Sequence, residues 1–484
     1  MKMNKPQKLH PIFILFDVPK HFVSLLPVFI FLWVQIEDWL ITLGICFIVF
    51  LCLLVYSVFE WIRSIYFIDH GEFCLQKGGI FHKKVFIPLE QIQAVEIEQK
   101  LWHRLFDVVE VHIETASGND SEAVLKAVKK TDALSLQKFL LREENKVDLG
   151  SSLEKNQNDT SIFYRVTWKT LIQAGMTSGK IVYTLSLPVL FGLKLLEYID
   201  EASQFIDVDA FIEKQHFEMS MLMHLFWIIP SFLIVAWLIS IVWTVIEFAY
   251  FKVRRDEKRL YVEYGFFHLR KLTIPIKRIQ MVNVEENWLR QPLGWALVKL
   301  EIAGYGENND EESKEKKKIV LFPLVSKREI PSLLQHILPE YVAYTDIALR
   351  PTPIKSKVYR LIPQLIGLII VQCIFFYLSP TWSWIGIPVI LILMVYQWLR
   401  YQDEGWGLAK DGIVLRNRVL VRNTFYVPQR SMQSRTCLQS RRMKRAQLAR
   451  FRTFISSGRK IRSGYIAEMD VEQILDWIKM KSMS

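Results

Sequence analysis

Histidine and glutamate residues cluster in one short stretch of the chain, at His103, Glu110, His112 and Glu114. Imidazole nitrogens and carboxylate oxygens are groups that bind metals and that exchange protons in acid–base catalysis. Neither histidine recurs at the matching positions of the repeats described below, and isolated residues of this kind are weak evidence for a site. We therefore interpret the cluster as a solvated strand face and predict no metal site.

Motifs that carry catalysis are missing from the sequence. No HExxH, GxSxG, Walker or GxGxxG motif occurs in the strand-to-helix context that such motifs need. We predict that the protein is not an enzyme, with no catalytic residues and no cofactor.

Positive charge is concentrated near the C-terminus. Residues 398–484 contain 18 lysine and arginine residues against 7 aspartate and glutamate residues, in a chain whose net charge is +12. Close to a membrane, each such residue is attracted to anionic lipid by about 1 kcal/mol. We favour lipid binding and predict that it involves Arg441, Arg442, Lys444, Arg445, Arg450 and Arg452.

Two alternatives exist for this basic segment. In the first, the segment is an orientation signal or a solvated face, because cytoplasmic segments carry positive charge in any case. In the second, the segment binds nucleic acid, although it has few aromatic side chains for base stacking apart from Phe451 and Phe454. We predict no nucleic-acid partner.

The same segment is written three times along the chain. A glycine, a proline ten residues later and an Ile-Gln pair mark the first two copies, at Gly78, Pro88 and Ile92 and at Gly265, Pro275 and Ile279. The third copy has Pro428 and Met432, with Arg418 in place of the glycine, and the copies are offset by 187 and 340 residues from the first. A period this long indicates whole tandem domains.

A pair of apolar stretches precedes each copy, in a chain that is 51% hydrophobic with a mean hydropathy of +0.18. About 20 apolar residues are needed for a helix to cross a hydrocarbon core of about 30 Å. We predict six transmembrane helices, at about 21–36, 39–59, 181–197, 221–250, 361–379 and 382–400. Basic flanks and an acidic loop at 198–220 predict a multi-pass cell-membrane protein with both termini and all three soluble segments in the cytoplasm.

Each soluble copy has alternating strand patterns, such as Ile92–Glu98 and Val108–Thr115, followed by one amphipathic helix. This pattern predicts three α+β domains, each a small β-barrel closed by its C-terminal helix. The predicted order is a lead-in with hairpin 1 (1–60), domain 1 (61–160), hairpin 2 with the acidic extracytoplasmic loop (161–250), domain 2 (251–345), hairpin 3 (346–400) and a basic domain 3 (401–484).

The run of strand, glycine, strand, proline and Ile-Gln, followed by an arginine-bearing stretch and the Ile113–Gly118 strand, resembles the second type of bacterial PH-like domain. The threefold array is similar to the YdbT-type membrane proteins of Gram-positive bacteria. The resemblance implies PH-like barrels without enzymatic chemistry, a possible shorter single-repeat membrane partner, and a role in resistance to envelope-active antimicrobial peptides.

A second basic patch follows the first turn of each copy, at Lys83, Lys84, Arg270, Lys271 and Arg422. The resemblance implies a lipid-headgroup role there, because eukaryotic PH-like barrels gather basic side chains at this place. The alternative is a strand edge that carries lysine to prevent pairing with other chains.

The functional prediction is a non-enzymatic membrane scaffold whose three PH-like domains bind anionic lipid or a membrane protein. The alternative is a transporter or export accessory with a pathway near Gln372. Transport is the less favoured of the two, because pumps and transporters ordinarily need an ionisable group within the membrane.

Overall fold

The computed structural model describes residues 6–25, 27–29, 39–78, 82–115, 123–142, 162–179, 217–302, 319–378 and 386–483. Among these residues, three hydrophobic core clusters are present, and each is centred on one sequence repeat. The predicted span at 181–197 and most of the predicted acidic loop lie outside the described residues.

The first repeat begins with two helices, α1 (Phe13–Ser24) and α2 (Trp39–Arg63). A four-stranded antiparallel sheet follows, in the order β1 (Gln7–Lys8), β2 (Ile65–Asp69), β3 (Glu72–Lys77) and β4 (Lys83–Pro88). The chain continues through β5 (Ile92–Gln99), α3 (Leu101–Leu105), β6 (Val108–Thr115), β7 (Ala123–Lys129) and α4 (Lys130–Arg142). The predicted strands at Ile92–Glu98 and Val108–Thr115 are confirmed.

The second repeat has the same order of elements, except that a turn takes the place of the helix α3. It comprises β8 (Ile162–Arg165), α5 (Trp168–Met176), α6 (Phe217–Glu247), β9 (Lys252–Arg255), β10 (Arg259–Tyr264), β11 (Leu269–Pro275), β12 (Ile279–Glu286), β13 (Trp295–Ile302), β14 (Ile319–Ser326) and α7 (Ile330–Ile337). A short 3-10 helix, Pro339–Tyr344, leads into the third repeat.

The third repeat keeps this plan as well. It comprises β15 (Arg350–Pro351), α8 (Ile354–Leu378), α9 (Gly386–Asp403), β16 (Gly405–Ala409), β17 (Gly412–Arg418), β18 (Arg422–Pro428), β19 (Met432–Leu438), α10 (Arg441–Arg445), β20 (Leu448–Ile455), β21 (Lys460–Arg462), β22 (Ile466–Ala467) and α11 (Glu468–Met483). Arg418, where the other repeats have glycine, is regular strand and pairs with Arg422.

The repeated proline ends one strand and redirects the chain into the next sheet. Pro88, Pro275 and Pro428 each precede a three-residue 3-10 helix, after which β5, β12 or β19 begins. Because proline has no N–H and a fixed φ, it suits a strand end at which the ladder stops. The strand after the proline therefore leaves its own first sheet.

That departing strand pairs with the following repeat. β5 pairs with β11, and β12 pairs with β18, so that two seven-stranded sheets are formed: β7-β6-β5-β11-β10-β9-β8 and β14-β13-β12-β18-β17-β16-β15. We call these two strand pairings the inter-repeat joints. Each seven-stranded sheet therefore contains strands from two neighbouring repeats.

The core of a repeat lies between its first sheet and the sheet that contains its remaining strands. In repeat 1, Phe73 and Ile87 of the first sheet pack with Val95 and Val111 of the second, together with Leu136 of α4. Apolar side chains alternate with polar ones along these strands, so that one face of each sheet is buried. The closing helices α4, α7 and α11 cover the cores, as the sequence predicts.

The predicted fold class is wrong in two respects. The described sheets are open, not barrels. In the first two repeats, the strand that would close the barrel satisfies its backbone hydrogen bonds on the next repeat, and in the third repeat the equivalent strand β19 lies at a sheet edge. Six transmembrane helices are not found in the described part of the chain. Among the described residues, one helix is long and apolar enough to cross a membrane, Leu40–Arg63 within α2, and the Ser231–Glu247 part of α6 is a shorter apolar helix. Apolar composition alone does not fix the length or continuity of a helix.

Candidate lipid-binding surface

A short segment after β5, β12 and β19 lies against the helices that open each repeat. In repeat 1, the His103 ring on α3 meets the Phe16 ring of α1 edge to face, at 4.5 Å between centroids. In repeat 3, Ser440 at the start of α10 lies 3.2 Å from the Tyr359 hydroxyl of α8. We call residues 101–106, 288–293 and 441–446 the helix-proximal turns.

The helix-proximal turn of repeat 2 is fixed by a buried arginine. Arg290 donates hydrogen bonds to the Ala174 carbonyl at 3.2 Å and to the Thr177 hydroxyl at 3.1 Å, both from the α5 segment. Burial lowers the pKa of Arg290 to about 10, despite the opposing charge of Glu285. Each of the three turns therefore contacts the first helix of its own repeat.

These turns expose different chemistry in different repeats. The first two present large apolar side chains to solvent, including Trp102, Leu105 and Trp288, which are 68%, 71% and 66% exposed. The third presents cations: Arg441, Arg442, Lys444 and Arg445 are all exposed on α10. Tryptophan is favoured at membrane interfaces, and clustered cations are favoured at anionic lipid.

The basic turn α10 is held by two local contacts. Ser440 caps its first turn by accepting a hydrogen bond from the Met443 amide, and the Met443 side chain is buried beneath it. The four cations thus project from a fixed short helix. The structure brings these four predicted residues together.

Arg450 and Arg452, the other two predicted residues of this segment, lie on β20 and are half-buried. The Arg450 guanidinium carbon stands 3.6 Å from the centre of the Tyr465 ring, a cation–π contact. Burial lowers the pKa of Arg450. Arg450 therefore packs against Tyr465 within the protein and is not part of the exposed group on α10.

The second predicted patch is divided by the inter-repeat joints. Arg270 on β11 pairs with Glu98 on β5 at 2.8 Å, and Lys271 lies 3.8 Å from Glu263. Burial by itself lowers the pKa of Arg270, but its interaction with the Tyr264 side chain and the charges of Glu98 and Glu96 outweigh burial and raise the pKa. Arg270 therefore links two repeats.

Arg422 has the same role at the second joint. It bonds Glu286 on β12 and also Asp403 at the end of α9, the latter at 3.0 Å. Burial lowers the pKa of Arg422, but hydrogen bonds and charge from Glu286 and Asp403 outweigh burial and raise it. By contrast, Lys83 and Lys84 are exposed on β4.

The acidic partners at the joints are the functional residues that sequence reasoning missed. Glu98, Glu286 and Asp403 carry no motif of their own. Glu98 had one weak signal, because Glu285 lies at the matching position of repeat 2, whereas the residue that matches Glu286 in repeat 1 is Gln99. Only the pairing of β5 with β11 and of β12 with β18 shows what they face.

The histidine–glutamate cluster is an ion-pair group at the first joint. Glu98, Glu110 and His112 bring their ligand atoms within 4.8 Å of one another on β5 and β6. Lys100 already neutralises Glu110 at 2.8 Å, and Arg270 neutralises Glu98. Burial raises the pKa of Glu110, but the charge and hydrogen bond of Lys100 outweigh it and lower the pKa.

The remaining members of the predicted cluster lie apart. His103 faces Phe16, and Glu114 pairs in register with Ala94 on β5. A metal at Glu98, Glu110 and His112 would have to displace two protein cations from the carboxylates. The donor set is therefore a poor one for a metal.

Two packed antiparallel sheets and a closing helix, repeated behind apolar helices, define a PH-type repeat protein. The family model for the bacterial PH domain matches residues 22–144, 206–341 and 361–482, and the chain belongs to that family. It is also 27% identical over 500 aligned residues to the UPF0699 transmembrane protein YdbT of Bacillus subtilis (strain 168), covering 98% of both chains. The resemblance to YdbT-type, three-repeat proteins is confirmed.

Proposed function

We propose that this protein is a non-enzymatic scaffold at the cell membrane, whose α10 helix binds anionic lipid headgroups. The observation that carries the proposal is the position of α10: four exposed cations lie beside the start of α8, where the other two repeats expose tryptophan. Attraction of about 1 kcal/mol per basic residue near an anionic surface favours binding by all four together.

Membrane attachment is the first part of the proposal. The α2 helix has the length and hydropathy of a membrane span, and the relative with nearly full coverage is named a transmembrane protein. We place the soluble repeats and both termini on the cytoplasmic side, because basic residues flank the apolar helices there.

The test uses the full-length protein in nanodiscs of phosphatidylcholine, with and without phosphatidylglycerol. Hydrogen exchange of the amides of 440–447 should slow in the anionic discs, and added salt should reverse this. Arg441→Gln with Arg442→Gln should remove most of the protection. Lys258→Gln with Lys479→Gln, a control of equal charge change, should leave it intact. Equal exchange in both kinds of disc would refute lipid binding by α10.

We also propose a role in the cell envelope, which the family resemblance implies. We expect a strain that lacks the protein to become more sensitive to a cationic membrane-active peptide. Wild-type protein should restore resistance, and the Arg441→Gln, Arg442→Gln variant should restore less. We further propose that the scaffold binds a shorter, single-repeat membrane protein of the same family.

A further inference from the structure

The two inter-repeat joints have one register. The first pairs Gln99 with Leu269 through Val95 with Thr273, and the second pairs Glu286 with Arg422 through Val282 with Tyr426. The 187- and 153-residue offsets between neighbouring repeats convert the first set of five pairs into the second. The joint is therefore a repeated, specific device for connecting PH-type repeats.

Each joint combines an acidic strand with a basic one. Glu98 on β5 faces Arg270, and Glu286 on β12 faces Arg422. Opposite charges directly across an antiparallel pair stabilise it, whereas like charges destabilise it. Charge thus contributes to the choice of which strands meet.

One basic half of a joint has no strand beside it in the described part of the chain. The strand β4 is equivalent to β11 and β18, and it forms an edge of the first sheet. Its His82, Lys83 and Lys84 are all exposed, at the positions of Leu269, Arg270 and Lys271. Phe86 is 55% exposed, whereas its equivalents Thr273 and Tyr426 are 3% and 8% exposed.

In the two internal joints, the residues equivalent to Phe86 are covered by a segment of the preceding repeat. In the first joint, Gln137 of α4 donates to Thr273 at 3.1 Å and to the Val95 carbonyl at 3.3 Å. In the second, the Tyr344 ring, which follows α7, stacks on Tyr426 at 6.2 Å. The closing segment of the preceding repeat therefore always seals this position.

We infer that the β4 edge binds an acidic edge strand of another polypeptide, in the register of the two internal joints. This partner presents a carboxylate opposite Lys83, as Glu98 does opposite Arg270, and contributes its own closing segment over Phe86. Addition of a strand to an open sheet edge is an established mode of recognition, in which main-chain bonds give affinity and side chains give specificity.

A second copy of this chain is a poor occupant of that edge. Its equivalent strand is β19, and the joint register would place Leu438 opposite Lys83, Cys437 opposite Lys84 and Arg435 opposite Phe86. The five β19 positions that would face β4, residues 435–439, contain no carboxylate, and Arg435 adds positive charge to a basic edge. Charge therefore favours a different chain as partner.

The test uses the full-length Lys84→Cys variant in detergent and a synthetic peptide with the sequence of residues 92–99. In the peptide, Ile97→Cys places a thiol opposite the cysteine introduced on β4, in the joint register. Disulfide formation is mapped by mass spectrometry, and the native, exposed Cys437 on β19 serves as the matched control edge. A second peptide carries Glu96→Lys and Glu98→Lys in addition.

We expect the acidic peptide to couple to the introduced β4 cysteine at least tenfold faster than to Cys437. The lysine peptide should lose this preference. Equal coupling of the two peptides, or equal coupling at the two edges, would overturn the inference. A dominant disulfide between the introduced cysteine of one copy and Cys437 of another would also overturn it, because it would identify a second copy as the occupant.

Discussion

Removal of Arg422 should weaken the second inter-repeat joint more than removal of any exposed ion pair. The side chains of Arg422, Glu286 and Asp403 are 17%, 1% and 13% exposed, so the substitution Arg422→Met leaves two carboxylates in a poorly solvated place. Removal of one partner of a buried ion pair costs about 3–5 kcal/mol when the remaining charge has no other partner.

Two neighbouring cations reduce the expected cost. Glu286 keeps Lys327 at 3.4 Å, and Asp403 keeps Arg418. We therefore expect Arg422→Met to lower the free energy of opening the joint by about 2–3 kcal/mol. At about 1.4 kcal/mol per factor of ten, this corresponds to a roughly 30- to 150-fold loss of protection.

Hydrogen exchange of the β12 and β18 amides measures this opening without requiring the whole protein to unfold in one step. The matched control is Arg430→Met. Arg430 pairs with Glu340 at 2.6 Å, but the two side chains are 49% and 56% exposed, so the control should cost at most about 1 kcal/mol.

The double variant Arg422→Met, Glu286→Gln tests the physical reason for the effect. Neutralising Glu286 as well removes the carboxylate that the first substitution leaves uncompensated, and part of the lost protection should return. If Arg422→Met changed protection by less than about fivefold, or no more than Arg430→Met, the joint would not depend on this ion pair.

Three further predictions concern the turns of the repeats. Gly265→Ala should destabilise repeat 2 by at least about 2 kcal/mol, because Gly265 has φ +111° and an added Cβ would lie 1.9 Å from the His268 carbonyl oxygen; thermal unfolding measures this. Burial lowers the pKa of His103, so the unfolded state binds more protons, and stability should fall as the pH drops below about 6.5 and through the folded pKa. His103→Phe should flatten this dependence in unfolding measured across that pH range. Trp102→Phe and Trp288→Phe should each remove part of the fluorescence quenched by brominated lipid in nanodiscs, whereas unchanged quenching would place these turns away from the membrane.

Much of the local structure was predictable from the sequence. Alternating apolar residues marked β5 and β6 within one or two residues, and the repeated proline marked the end of β4, β11 and β18. These features depend on side-chain periodicity and on backbone restrictions that act within a few residues. The threefold repeat and its family were predicted for the same reason, since the copies keep these local patterns at fixed offsets.

The candidate sites were predicted only in part. The four cations of α10 are neighbours along the chain, namely Arg441, Arg442, Lys444 and Arg445. Once Met443 is buried, all four are exposed together. Arg270 and Arg422 were grouped with them as lipid ligands. Their partners across the inter-repeat joints, Glu98 and Glu286, are carboxylates about 130 to 170 residues earlier in the chain.

The sequence by itself determined that one module occurs three times, where its strands and closing helices lie, and that its last copy is strongly basic. Only the tertiary structure decided that the sheets stay open and pass from one repeat to the next. Strand edges are chemically alike along the whole chain, because every backbone offers the same N–H and C=O groups. Which two edges meet depends on side chains brought together across long separations, and this fixed Lys83 at an open edge while Arg270 became part of a joint.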